Sequence, residues 1–315
     1  MAHKKIVIRN EQGGDVEAVA PVIVSASRAT DIPAFYADWF FNRLDKGYAS
    51  WRNPFNGKDS YVSFANTRFV VFWSKNPKPL IPYLPILQEK GIGFYIQFTL
   101  NDYDAEQLEP GVPWLAERID TFKRIVDEYG VGSVVWLFDP LILTEKISPE
   151  LLLHRISAIA EQLKGYTEKL VFSFADIAGY RSVARNLRAA GINYREWDTE
   201  TMSAFARQLA ELRLPFCLAT CAEAIDLEEF GIEHNRCIGP ELIARRSPDD
   251  AELQTFLQSA KPDSGQRKLC GCILSKDIGA YNTCPHLCCY CYANYSPQTA
   301  MNNFRKHTNS SELII

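Results

Sequence analysis

The feature that most constrains the fold is an alternation of short apolar runs with longer segments of helical pattern. Six runs have the length of a β-strand: 22–25, 69–73, 94–99, 133–138, 170–174 and 216–219. Six segments carry apolar residues at helical spacing: 34–46, 80–90, 114–129, 149–163, 180–190 and 201–212. Strands that alternate with helices predict an α/β fold with a parallel sheet. Right-handed crossovers would curl that sheet into a barrel, or into part of one, since a complete barrel needs eight units.

The length and composition fit one soluble, barrel-sized unit. A chain of 315 residues can bury a large core, and a charged fraction of 23 % is typical of globular proteins. Residues 1–260 are expected to form the barrel. Residues 261–315 are expected to form a Cys-rich segment that packs on it, so that the whole chain is a single structural domain.

Charge and hydrophobicity exclude some partners. A net charge of −4 argues against an extended nucleic-acid surface. The longest apolar runs are strand-sized, so no membrane span is expected. The first residues contain no apolar core of a signal peptide, which predicts a cytoplasmic protein. Disulfides are rare in that compartment, so the nine cysteines indicate metal ligation or redox chemistry instead.

Three cysteines near the end of the sequence have the spacing of an iron–sulfur motif. Cys284, Cys288 and Cys291 follow the pattern C-x3-C-x2-C. A loop with such short gaps can place three thiolates on one [4Fe–4S] cluster, which leaves the fourth iron open to bind a small molecule. Tyr290, directly before the last cysteine, would shield the cluster from water. The alternative for the same residues is a structural zinc knot or an inert cysteine cluster.

The motif C-P-H-x-C-x-Y-C-Y-A resembles the cluster motif of the radical S-adenosylmethionine (radical SAM) superfamily. Its residues are similar to those of the motif in the spore photoproduct lyase branch. In that superfamily the motif follows the first barrel strand, whereas here it lies near the C terminus. From the segment 22–28 to the Cys-rich tail, the chain resembles the uncharacterised DUF1848 family. The superfamily resemblance implies a partial (β/α)6 TIM-like barrel, which six βα units fit. It also implies S-adenosylmethionine as a cofactor and radical chemistry on a substrate.

Polar residues stand at the end of every apolar run, where a βα barrel places its active site. We take five of them as candidate catalytic residues: Arg28, Lys75, Gln97, Asp139 and Glu223. Three more, together with Tyr290, are candidates for cofactor contact: Ser25, Thr99 and Ser173. Each has an ordinary structural alternative, because Asp139 suits a helix N-cap, and Arg28 or Lys75 suits a salt bridge to a neighbouring Asp.

Four further cysteines form a possible second metal site. Cys221 ends the sixth run, Cys237 follows a short connection, and Cys270 and Cys272 precede the main motif. If the tail folds back across the barrel mouth, their thiolates would close a site for zinc or for an auxiliary [4Fe–4S] cluster. The alternatives are a buried Cys221 and a reactive pair at Cys270 and Cys272. Cys217 is predicted to lie in the core, and Cys289 is predicted not to be a ligand.

The combined hypothesis is an Fe–S enzyme that cleaves S-adenosylmethionine reductively and acts on a small-molecule or nucleotide-like substrate. An electron donor of the flavodoxin or ferredoxin type would serve as partner. Two alternatives stay open: an Fe–S enzyme that uses the open iron without S-adenosylmethionine, and a zinc-stabilised binding module without catalysis. The aromatic segment 48–56 is either a lid over the site or a packed hairpin anchored by Trp51 and Phe55.

Overall fold

The computed structural model describes residues 3–54, 56–267 and 269–315. Its strands are β1 Lys4–Arg9, β2 Asp15–Ala20, β3 Ile23–Ala26, β4 Tyr48–Arg52, β5 Asp59–Ser63, β6 Phe69–Ser74, β7 Gly93–Thr99, β8 Val134–Leu141, β9 Leu143–Thr144, β10 Lys169–Phe174, β11 Tyr194–Arg195, β12 Cys217–Thr220, β13 Ile232–His234 and β14 Lys276–Asp277. Its α-helices are α1 Ile32–Phe35, α2 Ala37–Lys46, α3 Leu84–Glu89, α4 Leu115–Tyr129, α5 Pro149–Leu163, α6 Arg181–Ala189, α7 Thr199–Glu211, α8 Pro240–Arg246, α9 Ala251–Gln258 and α10 Pro297–Lys306. Short 3₁₀ helices span Lys78–Tyr83 and Glu228–Phe230. None of these described helices is long and apolar enough to cross a bilayer.

An eight-stranded parallel sheet forms the centre of the molecule. Its strand order is β13-β12-β10-β8-β7-β6-β3-β14, so the six predicted strands lie side by side in chain order. The predicted α/β class with a parallel sheet is therefore confirmed. Two short strands, β13 and β14, extend the predicted six, and no closed sheet is found among the described residues.

The two faces of the central sheet pack against different helices. On one face, strand residues such as Val70 and Ile96 share a core with the helices between the strands. On the other face, Val71 and Tyr95 pack with apolar residues of α8 and α9. Because both faces are covered, the strands read as continuous apolar runs instead of alternating ones.

Side-chain caps begin several of these helices. Ser148 precedes α5, and its Oγ accepts a hydrogen bond of 3.3 Å from the backbone N–H of Leu151. Asp198 caps α7 in the same way, with 2.7 Å to the N–H of Thr201. Such caps satisfy N–H groups that lack a partner within the helix, so these two helices begin where the sequence supplies an acceptor.

A smaller four-stranded sheet, in the order β1-β2-β5-β4, lies at the N-terminal side of the chain. Strands β4 and β5 form an antiparallel hairpin, which is the packed arrangement considered for segment 48–56. The indole Nε1 of Trp51 donates a hydrogen bond of 3.1 Å to the carbonyl of Gly279. The predicted second anchor, Phe55, lies outside the described residues.

The C-terminal segment is attached to the first strand of the central sheet. Strand β14 pairs with β3 in parallel, with Asp277 beside Ser25. The carboxylate of Asp277 accepts hydrogen bonds of 2.9 Å from Ser25 Oγ and 2.8 Å from Ser27 Oγ. It also accepts 2.9 Å bonds from the backbone N–H groups of Arg28 and Gly279. The tail is thus anchored beside the carboxyl end of β3.

We expect Asp277→Ala to lower the free energy of unfolding by about 3 kcal/mol, because it leaves buried N–H and hydroxyl donors without their acceptor. Urea denaturation would measure the change. Asp249→Ala is the matched control, since Asp249 is exposed, and it should change the free energy of unfolding by less than about 0.5 kcal/mol. Equal losses in the two variants would contradict this role of Asp277.

Candidate metal centre at the strand ends

The loop that carries the cysteine motif rests on the connection between β7 and α4. The N–H of Gly111 donates to the carbonyl of His286 over 2.9 Å, and the N–H of Cys289 donates to the carbonyl of Leu108 over 2.9 Å. A Cβ on Gly111 would lie 2.6 Å from the carbonyl oxygen of Pro285 and 2.8 Å from the Cα of His286. Because both neighbours are backbone atoms, only glycine permits this close approach.

The three motif thiols lie in one buried region. Cys284 and Cys288 are buried and Cys291 is half-buried. Burial raises the pKa of each thiol, and the negative charges of Cys291 and Cys284 raise the pKa of Cys288 further. The backbone N–H groups of Ala293 and Asn294 are directed at the sulfur of Cys291 and lower the pKa of Cys291 in turn.

These donors fit a thiolate-bound cluster. Three sulfurs from one short loop, with N–H groups directed at a sulfur, are the ligand type and the hydrogen bonding that Fe–S clusters use. Each iron of a cube takes its own thiolate, so the sulfurs need not meet at one point. Across the described ranges, no group of three or more His, Cys, Asp or Glu side chains is placed as a ready site for a metal ion.

A buried ionic network adjoins Cys288. Lys75 Nζ lies 2.8 Å from Glu109 Oε1 and donates over 3.0 Å to the hydroxyl of Tyr290. The Tyr290 hydroxyl also donates to Glu109. Burial lowers the pKa of Lys75, but Glu109 and Cys288 outweigh that effect, so the pKa is raised overall. Burial likewise raises the pKa of Glu109, but Lys75 and Arg118 outweigh it and hold the pKa below its usual value.

Asn101 connects this network to the end of β8. Its Nδ2 group donates to Tyr290 over 2.9 Å and to the carbonyl of Asp139 over 3.0 Å. Its Oδ1 accepts from the N–H of Asp139 over 2.9 Å. The aromatic residue of the motif is therefore held against the sheet by two neighbouring strand ends.

His286, inside the motif, contacts Asp31 and Gly111. Its Nε2 lies 2.9 Å from Asp31 Oδ2, and its Nδ1 lies 2.9 Å from the carbonyl of Gly111. A carboxylate and a carbonyl both accept hydrogen bonds, so each ring nitrogen of His286 faces an acceptor. Asp31 also caps α1 through the N–H of Ala34 and binds the N–H of Lys75 over 2.7 Å. The residue that caps α1 thus positions the cysteine loop as well.

The other four cysteines of the possible second site are also brought together. The sulfurs of Cys221 and Cys237 are 3.5 Å apart. Hydrogen bonds from the thiols of Cys237 and Cys270, with the positive charge of Arg28, lower the pKa of Cys272. Hydrogen bonding to Cys221 and Cys272 raises the pKa of Cys237, and hydrogen bonding to Cys272 raises that of Cys270. The sulfur of Cys272 also accepts a hydrogen bond of 3.3 Å from the N–H of Ile238, which follows Cys237, so Cys272 lies beside this pair.

Arg28 lies between the two cysteine groups. Its guanidinium stacks 4.9 Å from the centre of the Trp73 ring and lies 3.4 Å from Ser25 Oγ. Its backbone carbonyl accepts a hydrogen bond of 2.7 Å from the hydroxyl of Tyr292, which follows Cys291. The side chain of Arg28 thus lies beside the possible second site, whereas its backbone contacts the segment that carries the cysteine motif.

The remaining candidates line the ends of the central strands. Gln97 Nε2 donates over 2.6 Å to the carbonyl of Cys237. Ser173 Oγ donates to Asp139 Oδ1. Glu223 accepts over 2.9 Å from the N–H of Phe174, and burial raises the pKa of Glu223 to about 7. Thr99 is half-buried at the last position of β7.

One expectation for a cysteine is wrong. Cys217 was predicted to lie in the core, but it is exposed, because it is the first residue of β12 and lies outside the covered part of that strand. Cys289 is half-buried, and its sulfur faces the carbonyl of Gln107 at 4.0 Å. Sequence reasoning missed two residues that hold the site, Glu109 and Gly111.

The sequence was compared with family models, curated proteins and solved structures, and one family model matches it. No curated protein and no solved structure matches the chain. A family model described as "Domain of unknown function (DUF1848)" matches residues 23–293, which include every strand of the central sheet and all three motif cysteines. Because this match covers most of the sequence, the chain belongs to the DUF1848 family.

Proposed function

We propose that the chain is an Fe–S enzyme of radical-SAM-like type, with a [4Fe–4S] cluster held by Cys284, Cys288 and Cys291. The observation that carries the proposal is the position of the cysteine loop, which contacts the β7–α4 connection at the carboxyl ends of parallel strands. Active sites of βα proteins lie at that edge. The sequential strand order supports a partial (β/α)6 barrel as the finer description of the sheet.

When bound, the cluster would supply an iron without a protein ligand, at which S-adenosylmethionine is bound and reductively cleaved in the radical SAM superfamily. The contribution of this chain is to bind, orient and exclude water. A lysine ammonium has three N–H donors, and Lys75 directs two of them at Glu109 and Tyr290. We assign the third to the carboxylate of a bound methionine group.

Other residues would keep the loop and its surroundings in place. The His286–Asp31 pair connects the motif to α1, and Tyr290 covers the buried side of the loop. Asp139, Ser173 and Glu223 lie along neighbouring strand ends, where a small-molecule or nucleotide-like substrate would bind. A cytoplasmic setting suits such a site, since thiols stay reduced there. A donor of flavodoxin or ferredoxin type would supply the electron.

Anaerobic reconstitution with iron and sulfide, followed by reduction in the presence of S-adenosylmethionine, tests the proposal. We expect 5′-deoxyadenosine to form with the wild-type chain and to fall to background with Cys288→Ala, because that variant lacks one of three cluster ligands. Cys217→Ala is the matched control, as it removes an exposed cysteine far along the sequence from the motif.

Three outcomes would contradict the proposal. Formation of 5′-deoxyadenosine by Cys288→Ala at the wild-type rate would show that the cluster assignment is wrong. A reconstituted cluster that binds no S-adenosylmethionine would indicate an Fe–S enzyme that uses its open iron in another way. Zinc without iron in protein purified in the absence of oxygen would leave only a binding module.

A further inference from the structure

We propose that Cys221, Cys237, Cys270 and Cys272 bind a second metal centre through four thiolates. This centre is separate from the one assigned to Cys284, Cys288 and Cys291, and the proposal does not depend on the function of that first group. Four protein ligands leave no coordination position for substrate, so the second centre would stabilise the fold or carry electrons.

The first argument is the convergence of thiols from distant parts of the chain. Cys221 follows β12, Cys237 follows β13, and Cys270 and Cys272 precede β14. The Cys221 and Cys237 sulfurs are 3.5 Å apart, and the Cys272 sulfur accepts a 3.3 Å hydrogen bond from the N–H of Ile238, the residue after Cys237. A disulfide between Cys221 and Cys237 would explain the first contact and leave the approach of Cys272 unexplained.

The second argument is that polar groups already point at the sulfurs. The Nδ2 group of Asn235 donates to Cys237 Sγ over 3.1 Å, and the N–H of Ile238 donates to Cys272 Sγ over 3.3 Å. Metal-bound thiolates accept such bonds, and these second contacts orient the ligands. Cys237 is further fixed through its carbonyl, which accepts 2.6 Å bonds from Tyr95 and Gln97.

The third argument is charge. Four thiolates around a divalent ion carry a net charge of about −2, which is unfavourable in a buried site without a nearby cation. Arg28 lies beside Cys272 and Cys237, so its positive charge faces both of these thiols. Arg267 lies near Cys221 and adds a second positive charge. The two arginines would offset the charge of a filled site.

The test uses the full chain with the first group removed, as the triple variant Cys284→Ala, Cys288→Ala and Cys291→Ala. Titration with Co²⁺ under anaerobic conditions is expected to give the intense sulfur-to-cobalt charge-transfer absorption of a four-thiolate site, at about one ion per chain. Adding Cys272→Ala should reduce that intensity and weaken binding, while adding Cys217→Ala should leave both unchanged. Circular dichroism of each variant would establish that it is folded.

Metal analysis of the anaerobically purified triple variant distinguishes a zinc ion from an Fe–S cluster at these four cysteines. About one zinc per chain would identify a zinc centre, whereas about four irons with matching sulfide would identify a cluster. The proposal is overturned if the folded triple variant shows no charge-transfer band with Co²⁺, or if the band is unchanged by Cys272→Ala. A Cys221–Cys237 disulfide that persists in anaerobically purified protein and blocks cobalt binding would overturn it as well.

Discussion

Replacing Glu109 by alanine is expected to lower the free energy of unfolding by about 3–5 kcal/mol, because it removes one partner of a buried ion pair. The side chain of Glu109 is 2 % exposed, and its carboxylate lies 2.8 Å from Lys75 Nζ and 3.8 Å from Arg118 Nη1. Without it, Lys75 loses its counter-charge, Arg118 keeps the carboxylate of Asp104 at 3.5 Å, and Tyr290 loses its acceptor. Urea denaturation monitored by circular dichroism would measure the loss.

Two further variants identify the cause of that loss. Lys75→Met combined with Glu109→Ala should cost less than the sum of the single changes, by about 1 kcal/mol or more, because the two residues interact directly. Glu117→Ala is the matched control: its carboxylate lies 3.8 Å from Lys78 on the surface, and its removal should cost less than about 1 kcal/mol. Additive effects at Lys75 and Glu109 would show that the two residues are not coupled.

Gly111→Ala is expected to displace the cysteine loop and to lower the iron retained after reconstitution. The added Cβ would lie 2.6–2.8 Å from backbone atoms of Pro285 and His286, which cannot rotate away as a flexible side chain can. Overpacking of this kind costs about 1–3 kcal/mol, and here the strain falls on the loop that contains Cys284 and Cys288. Iron and sulfide per chain, with the visible absorption of the cluster, would measure the effect.

A second glycine provides the control for Gly111→Ala. A Cβ on Gly14 would find its nearest neighbour at 3.5 Å, which is ordinary contact, so Gly14→Ala should retain iron as the wild type does. If Gly111→Ala also retains the full cluster, the loop tolerates movement, and the close approach at Gly111 is not needed for metal binding. If both variants lose iron equally, the loss is not specific to the cysteine loop.

Local sequence patterns were sufficient to predict six of the eight strands of the central sheet. The run 94–99 corresponds to β7 Gly93–Thr99, and the segment 149–163 to α5 Pro149–Leu163. These elements can be predicted from the sequence because each has a continuous apolar run, or a full helical period with a cap. Helices α8 and α9 have no predicted counterpart, since each covers only about two turns, too few for a clear period.

Long-range partners were not predictable in the same way. The position of Lys75 after a strand predicts a role at the site, but its partner Glu109 lies in an irregular connection with no pattern of its own. Asp277 is likewise inconspicuous in sequence, and its role depends on hydroxyl groups 250 and 252 positions earlier. A single sequence shows which residues are polar, whereas the fold decides which of them meet.

The pairing of β14 with β3 has a consequence for how the protein is made. One border of β3 has no strand beside it until residues 276 and 277 leave the ribosome. At about 5–20 residues per second, the delay amounts to roughly 10–50 s. An open strand border is a template for association with other chains. Nascent molecules therefore pass through an aggregation-prone period that ends only when translation reaches the cysteine-rich tail.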